Sequence, residues 1–190
     1  MTSGDRKGQG QPDVRFERRG PVAVLVIGRP YAANAFGPKA VAEFRTHLEA
    51  VRQDRTISGL IVTGAGDRHF CSGGDVKAYS VFASPAELNP VFDDAREVLN
   101  ELDLLDVPTV AAINGVAIGG GFELALACDF RVAHLSASLS LPQVRMGILP
   151  GWFATDRLLS ICGRANAKRF ALSGARISAE EAHRLGVVDE

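Results

Sequence analysis

No charge of either sign dominates this chain. Its 190 residues hold 21 Lys and Arg against 22 Asp and Glu, a formal net charge of -1, so no global field draws it to nucleic acid or to an anionic membrane. No apolar run approaches the roughly 20 residues that span a bilayer. Met1 to Pro12 is polar and glycine-bearing, without the basic and then apolar pattern of a secretory signal. The expectation is a cytoplasmic protein with no nucleic-acid partner and no membrane partner. Cysteine is sparse too: Cys71, Cys128 and Cys162 are widely spaced among apolar neighbours, which argues for reduced thiols against a disulfide framework or zinc site. Cys71 sits in a glycine-bearing loop, but no His stands in a partner motif, which speaks against a nucleophile. His47, His69, His134 and His183 share no ligand spacing, so no metal is expected.

What the chain does contain is concentrated chemistry at Gly119-Gly120-Gly121-Phe122-Glu123. Glycines are costly to order, so a run of them marks a place where bare backbone approaches something closely. Leu124 to Cys128 continues as a buried helix. The N–H groups that open it lack intrahelical partners and suit a developing negative charge. Glu123 lies in that first turn, within reach of whatever the N–H groups hold. Two plainer readings compete: a tight crossing of helix on sheet, and an acidic residue that complements the helix dipole. A second glycine loop, His69-Phe70-Cys71-Ser72-Gly73-Gly74-Asp75, follows the apolar run Leu60 to Thr63. Gly64-Ala65-Gly66 fails as a dinucleotide fingerprint because His69 replaces the third glycine, and the triple glycine lacks the Lys-Ser or Lys-Thr of a phosphate-binding loop.

The length favours one domain. Val14 to Ile27 alternates around Gly20-Pro21 as a hairpin. From Pro38, Val41, Phe44, Leu48 and Val51 recur at helical spacing, and Ser58 to Thr63 returns to a strand. Ser84-Pro85-Ala86-Glu87 has capping-box spacing ahead of a stripe from Leu88 to Leu105, the longest helix. Thr109 to Ile113 and Phe130 to Ala133 are strands around a short helix, Gly121 to Ala127. Further helices are expected near Ala154 to Ile161, Arg164 to Leu172 and Ser178 to Leu185, the last with its own capping box. An α/β fold follows.

Taken together, the two glycine loops resemble the paired motifs of the enoyl-CoA hydratase/isomerase, or crotonase, superfamily. Further matches are Arg29-Pro30 with Asn34-Ala35-Phe36, Pro108 to Gly115 leading into the triple glycine, Cys128 to Ala133, and Leu141 to Gly151. The resemblance implies a crotonase-like spiral of repeated β-β-α turns. Residues 1–12 read as a flexible arm, and the resemblance implies a core over 13–190, with the usual C-terminal helical region largely missing after Glu190. It implies an oxyanion hole from the Gly74 and Gly120 N–H groups and a catalytic Glu123. The second family glutamate falls at Gln143, which can orient water but cannot exchange a proton. The expected activity is hydration of a 2-enoyl-CoA with a single catalytic glutamate. Hydrolysis, decarboxylation, isomerisation or non-catalytic acyl-CoA binding remain open. Ala33, Ala35, Ser72, Asp75 and Val76 would line the pantetheine and adenine groove, with Lys77 near phosphate and Gly119, Pro142 and Ile148 completing the substrate-binding set. Phe82, Met146, Ile148, Trp152 and Phe153 suggest an apolar acyl chamber. No cofactor is implied beyond the coenzyme A of the substrate, and the assembly implied is a homotrimer or dimer of trimers.

Overall fold

The computed structural model describes residues 11–190. Strands β1 (Val14–Arg19) and β2 (Val22–Ile27) pair antiparallel through a turn in which Gly20 takes φ 62°. Helix α1 (Pro38–Gln53) buries Val41, Phe44, Leu48 and Val51 as the spacing requires. Strand β3 (Gly59–Gly64) lies parallel to β2, and β4 (His69–Cys71) follows. Next come α2 (Val76–Tyr79) and α3 (Pro85–Asp103), where the Ser84 hydroxyl accepts the Glu87 N–H at 3.4 Å. Strands β5 (Thr109–Ile113) and β6 (Val116–Ile118) lead to α4 (Gly120–Leu126). Strands β7 (Phe130–Ala133) and β8 (Ser138–Ser140) run into a 3-10 turn, Pro142–Met146. Helix α5 (Ala154–Ser173), β9 (Arg176–Ser178) and α6 (Ala179–Arg184) complete the described chain.

Two sheets result, ordered β1-β2-β3-β5-β7 and β4-β6-β8-β9. Each of β3, β5 and β7 is followed by a strand of the other sheet, namely β4, β6 and β8, and then by helical structure. This is the expected spiral of β-β-α turns. Parallel pairing of β4 with β6 and of β6 with β8 brings the segments after all three strands to one end of the smaller sheet. The core between the layers is built on Phe36, Phe44, Phe70, Phe122 and Leu139. Among the described residues, no helix is long and apolar enough to cross a membrane.

The two helices expected around Gly163 are both present within α5, and the chain kinks between them where Gly163 takes φ 74°, ψ 169°. One expectation is refined. The segments after Gly66 and Gly115, read from sequence as loops, each begin as a three-residue strand. Of the expected arm, residues 1–10 lie outside the described residues, and the Gln11 carbonyl accepts from Lys39 Nζ at 2.8 Å.

Burial pushes the Cys71 and Cys128 thiols each up to about 12, while Cys162 is only partly buried. A thiol reagent at neutral pH should therefore label one cysteine in the folded protein and all three after denaturation, because only accessible thiolate reacts. Fast labelling of more than one before denaturation would contradict this packing.

Candidate active site

Three successive turns of the spiral supply the site. Residues 72–74 follow β4, residues 119–121 follow β6, and Gln143 lies just beyond β8. The first two meet backbone to backbone. A Cβ built on Gly73 would stand 2.8 Å from the Gly120 nitrogen, and one on Gly121 would stand 2.0 Å from the Cys71 carbonyl oxygen. Only glycine permits this approach. The Gly73 N–H is directed to Cys71 Sγ at 3.4 Å. The Gly74 and Gly120 N–H groups donate to no acceptor among the described residues. They are therefore a pair of free donors on adjoining loops, the arrangement that holds a developing oxyanion.

Glu123 is 2% exposed, and no cation among the described residues pairs with it. Its Oε2 accepts the Trp152 N–H at 2.6 Å and the Ala154 N–H at 3.3 Å. Its Oε1 accepts the Gly151 N–H at 3.2 Å and Gln143 Nε2 at 2.9 Å. Burial raises the carboxyl, and these four bonds only partly offset it, so Glu123 holds a proton more readily than an ordinary glutamate. A carboxylate offers about four acceptor positions, so all are taken in this arrangement. Glu123 thus also fastens the segment that opens α5.

Gln143 is buried and reaches Glu123 through its amide nitrogen, while its Oε1 is buried without a partner. Gly119 adjoins it, since a Cβ there would lie 3.7 Å from Gln143 Nε2. Pro142 opens the 3-10 turn that carries Gln143. Trp152 lies against Gly120, Tyr79 lies against Gly74, and neither packing was legible beforehand. Burial and the nearby Asp75 charge push the Tyr79 hydroxyl up to about 12.

The groove residues divide. The Ala33 carbonyl accepts the Ser72 N–H at 3.1 Å, which ties this loop to the first glycine loop, and Ala35 is buried beside it. Asp75 bonds Arg29 at 2.6 Å and caps α2 by accepting the Ala78 N–H at 3.1 Å. Burial raises its carboxyl, but the Arg29 and Ala78 bonds outweigh that and hold it below the ordinary value. Its side chain is thus engaged in shaping the loop. Val76 is 77% exposed and Lys77 is exposed with no carboxylate partner among the described residues. Met146, Ile148 and Phe153 are exposed as well, so of the five residues suggested for an apolar chamber only Trp152 is buried. The sequence marked them as apolar but carried no sign of which would face inward.

A family model described as enoyl-CoA hydratase/isomerase matches residues 17–190. The chain belongs to the enoyl-CoA hydratase/isomerase family. It is 36% identical over 178 residues to a crotonyl-CoA hydratase of Syntrophomonas wolfei, covering 94% of this chain and 68% of that protein. The human mitochondrial methylglutaconyl-CoA hydratase is also 36% identical, across 90% of this chain and 50% of its own length. The crystal structure of an enoyl-CoA hydratase from Bacillus anthracis superposes with a TM-score of 0.91 at 34% identity, over 93% of this chain and 69% of that one. The chain thus spans between half and about two thirds of these family members.

Proposed function

We propose that this chain processes acyl-CoA thioesters and hydrates a 2-enoyl-CoA with Glu123 as its single carboxylate. The observation that carries the reading is the pair of unpartnered N–H groups, Gly74 and Gly120, on adjoining segments, the second of which also bears a buried glutamate. The thioester oxygen would lie between the two donors. Water adds through its oxygen to the β-carbon while Glu123 takes one of its protons, the electrons passing to the thioester oxygen as an enolate. The enolate then takes that proton at the α-carbon, so one water is added and Glu123 ends ionised. Removing one such donor typically costs roughly 3 to 4 kcal/mol of transition-state stabilisation, so the hole supplies the largest single term.

Glu123 needs a free lone pair to do this. Of its four donors three are backbone, and Gln143 is the one that can turn away without disturbing the chain. A second reading, acyl-CoA binding without turnover, is favoured by that same saturation. The test is purified protein mixed with crotonyl-CoA, following conjugated-thioester absorbance and free thiol together. Hydration should remove conjugation and release no thiol. Thiol release would replace hydration by hydrolysis, and no change in either signal would leave the binding reading. The family likeness also supports a trimer or dimer of trimers, which light scattering would check.

A further inference from the structure

We infer that Trp152 sets the acyl-chain selectivity of this site, admitting short acyl groups and excluding long ones. The inference rests on the acyl-CoA reading and goes beyond it by assigning substrate class to one side chain. A Cβ built on Gly120 would stand 2.2 Å from Trp152 Cζ3 and 2.6 Å from both Cε3 and Cη2. The six-membered ring of the indole therefore lies directly on Gly120, whose N–H is one of the two free donors. The indole is 2% exposed and meets the Phe36 ring edge-on at 6.1 Å, so it fills this space from the core side. Its Nε1–H is buried with no acceptor among the described residues. A buried donor left unpaired is uncommon, and this one sits at the edge of a site that also leaves Gln143 Oε1 unpaired.

The backbone that carries the ring is held from both sides. Trp152 N–H binds Glu123, its carbonyl accepts from Arg157 at 2.8 Å, and the preceding Gly151 carbonyl accepts from Arg96 at 2.6 Å. Phe153 then turns the chain with φ 66°, a left-handed conformation uncommon for a non-glycine residue. The backbone of Trp152 cannot withdraw without disturbing contacts that also position Glu123, and the buried ring is packed against Phe36. An acyl chain anchored at Gly120 thus meets a fixed wall after a few carbons. Met146, Ile148 and Phe153, the other apolar residues of this segment, are exposed and do not enclose a longer chain.

The test compares butanoyl-CoA with decanoyl-CoA, saturated thioesters whose binding needs no turnover. Trp152 is the single tryptophan, so its fluorescence reports occupancy in the native protein, and calorimetry serves for the variants. Native protein should bind butanoyl-CoA at least about tenfold more tightly than decanoyl-CoA, within the range that single methylenes command in a closed pocket. Trp152→Ala should shift that ratio by at least about tenfold toward decanoyl-CoA, since added methylenes gain affinity once space opens. Trp152→Phe should shift it in the same direction by less, and it answers the question if the alanine variant fails to fold. A ratio unchanged within about threefold in a folded variant overturns the inference. If that ratio shifts while crotonyl-CoA is not turned over, the selectivity stands and hydration falls. If native protein binds neither thioester, both fall.

Discussion

Gly121→Ala is expected to abolish folding or to lower stability by about 4 kcal/mol or more, a range reserved for a few named mechanisms. The added Cβ would stand 2.0 Å from the Cys71 carbonyl oxygen and 2.5 Å from its carbonyl carbon. Neither atom belongs to a side chain that can swing aside. Relief would need β4 and α4 to separate, which would carry Gly73 away from Gly120 and take the donor pair apart. Chemical denaturation gives the number directly, beside Gly147→Ala as a control. Gly147 takes φ 71° with nothing within 4 Å of its would-be Cβ, so strain alone should cost it only about 1 to 2 kcal/mol. A loss below about 1 kcal/mol for Gly121→Ala would mean the two loops do not pack as described.

The second large effect concerns Glu123, whose substitution should damage turnover and stability by separable amounts. Loss of the carboxylate removes the proposed proton-exchanging group, the one buried acid among the described residues, and such groups contribute about 10²- to 10⁴-fold. Alanine also orphans four donors, each worth roughly 1 to 3 kcal/mol when buried unpaired, with some of this recovered by entering water. A loss of about 3 kcal/mol, or about 10 °C in Tm for a chain of this size, is expected. Glu123→Asp keeps a carboxylate for the donors but draws it back from the substrate. It should recover most of the stability while turnover stays depressed. Because burial raises the Glu123 carboxyl, the ionised base is lost at higher pH than for an ordinary glutamate, and the acid limb of the rate profile should lie correspondingly high. The stability sign is opposite: the folded form holds this proton more tightly, so this group's contribution declines as pH rises from the ordinary carboxylate value through the raised one. Unchanged turnover in a folded Glu123→Ala protein would remove the proposed mechanism.

Much of this was legible in the chain. The hairpin, the capped helices and the longer strands carry periodicity over six or more residues or a capping side chain, and their positions shift by only a residue or two. The paired glycine loops stood out because glycine is costly unless backbone must come close. Strands β4, β6, β8 and β9 were not read because three residues hold too little alternation to signal a sheet. The partners of Glu123 were hidden for another reason. Three of its four hydrogen bonds come from main-chain N–H groups at residues 151, 152 and 154, and a backbone donor leaves no mark on sequence. Trp152 was read as apolar, whereas its place on Gly120 depends on how the chain turns at Phe153.

The spiral separates roles along the chain. Its first two turns contribute glycines whose contribution is made by main chain, and its third contributes Gln143 through a side chain. Under the proposed function, a change at residue 143 would alter proton handling while the main-chain donor geometry is inherited intact. The architecture behaves like a socket with one exchangeable pin, in which new chemistry can be tried one coil at a time without rebuilding the neighbours.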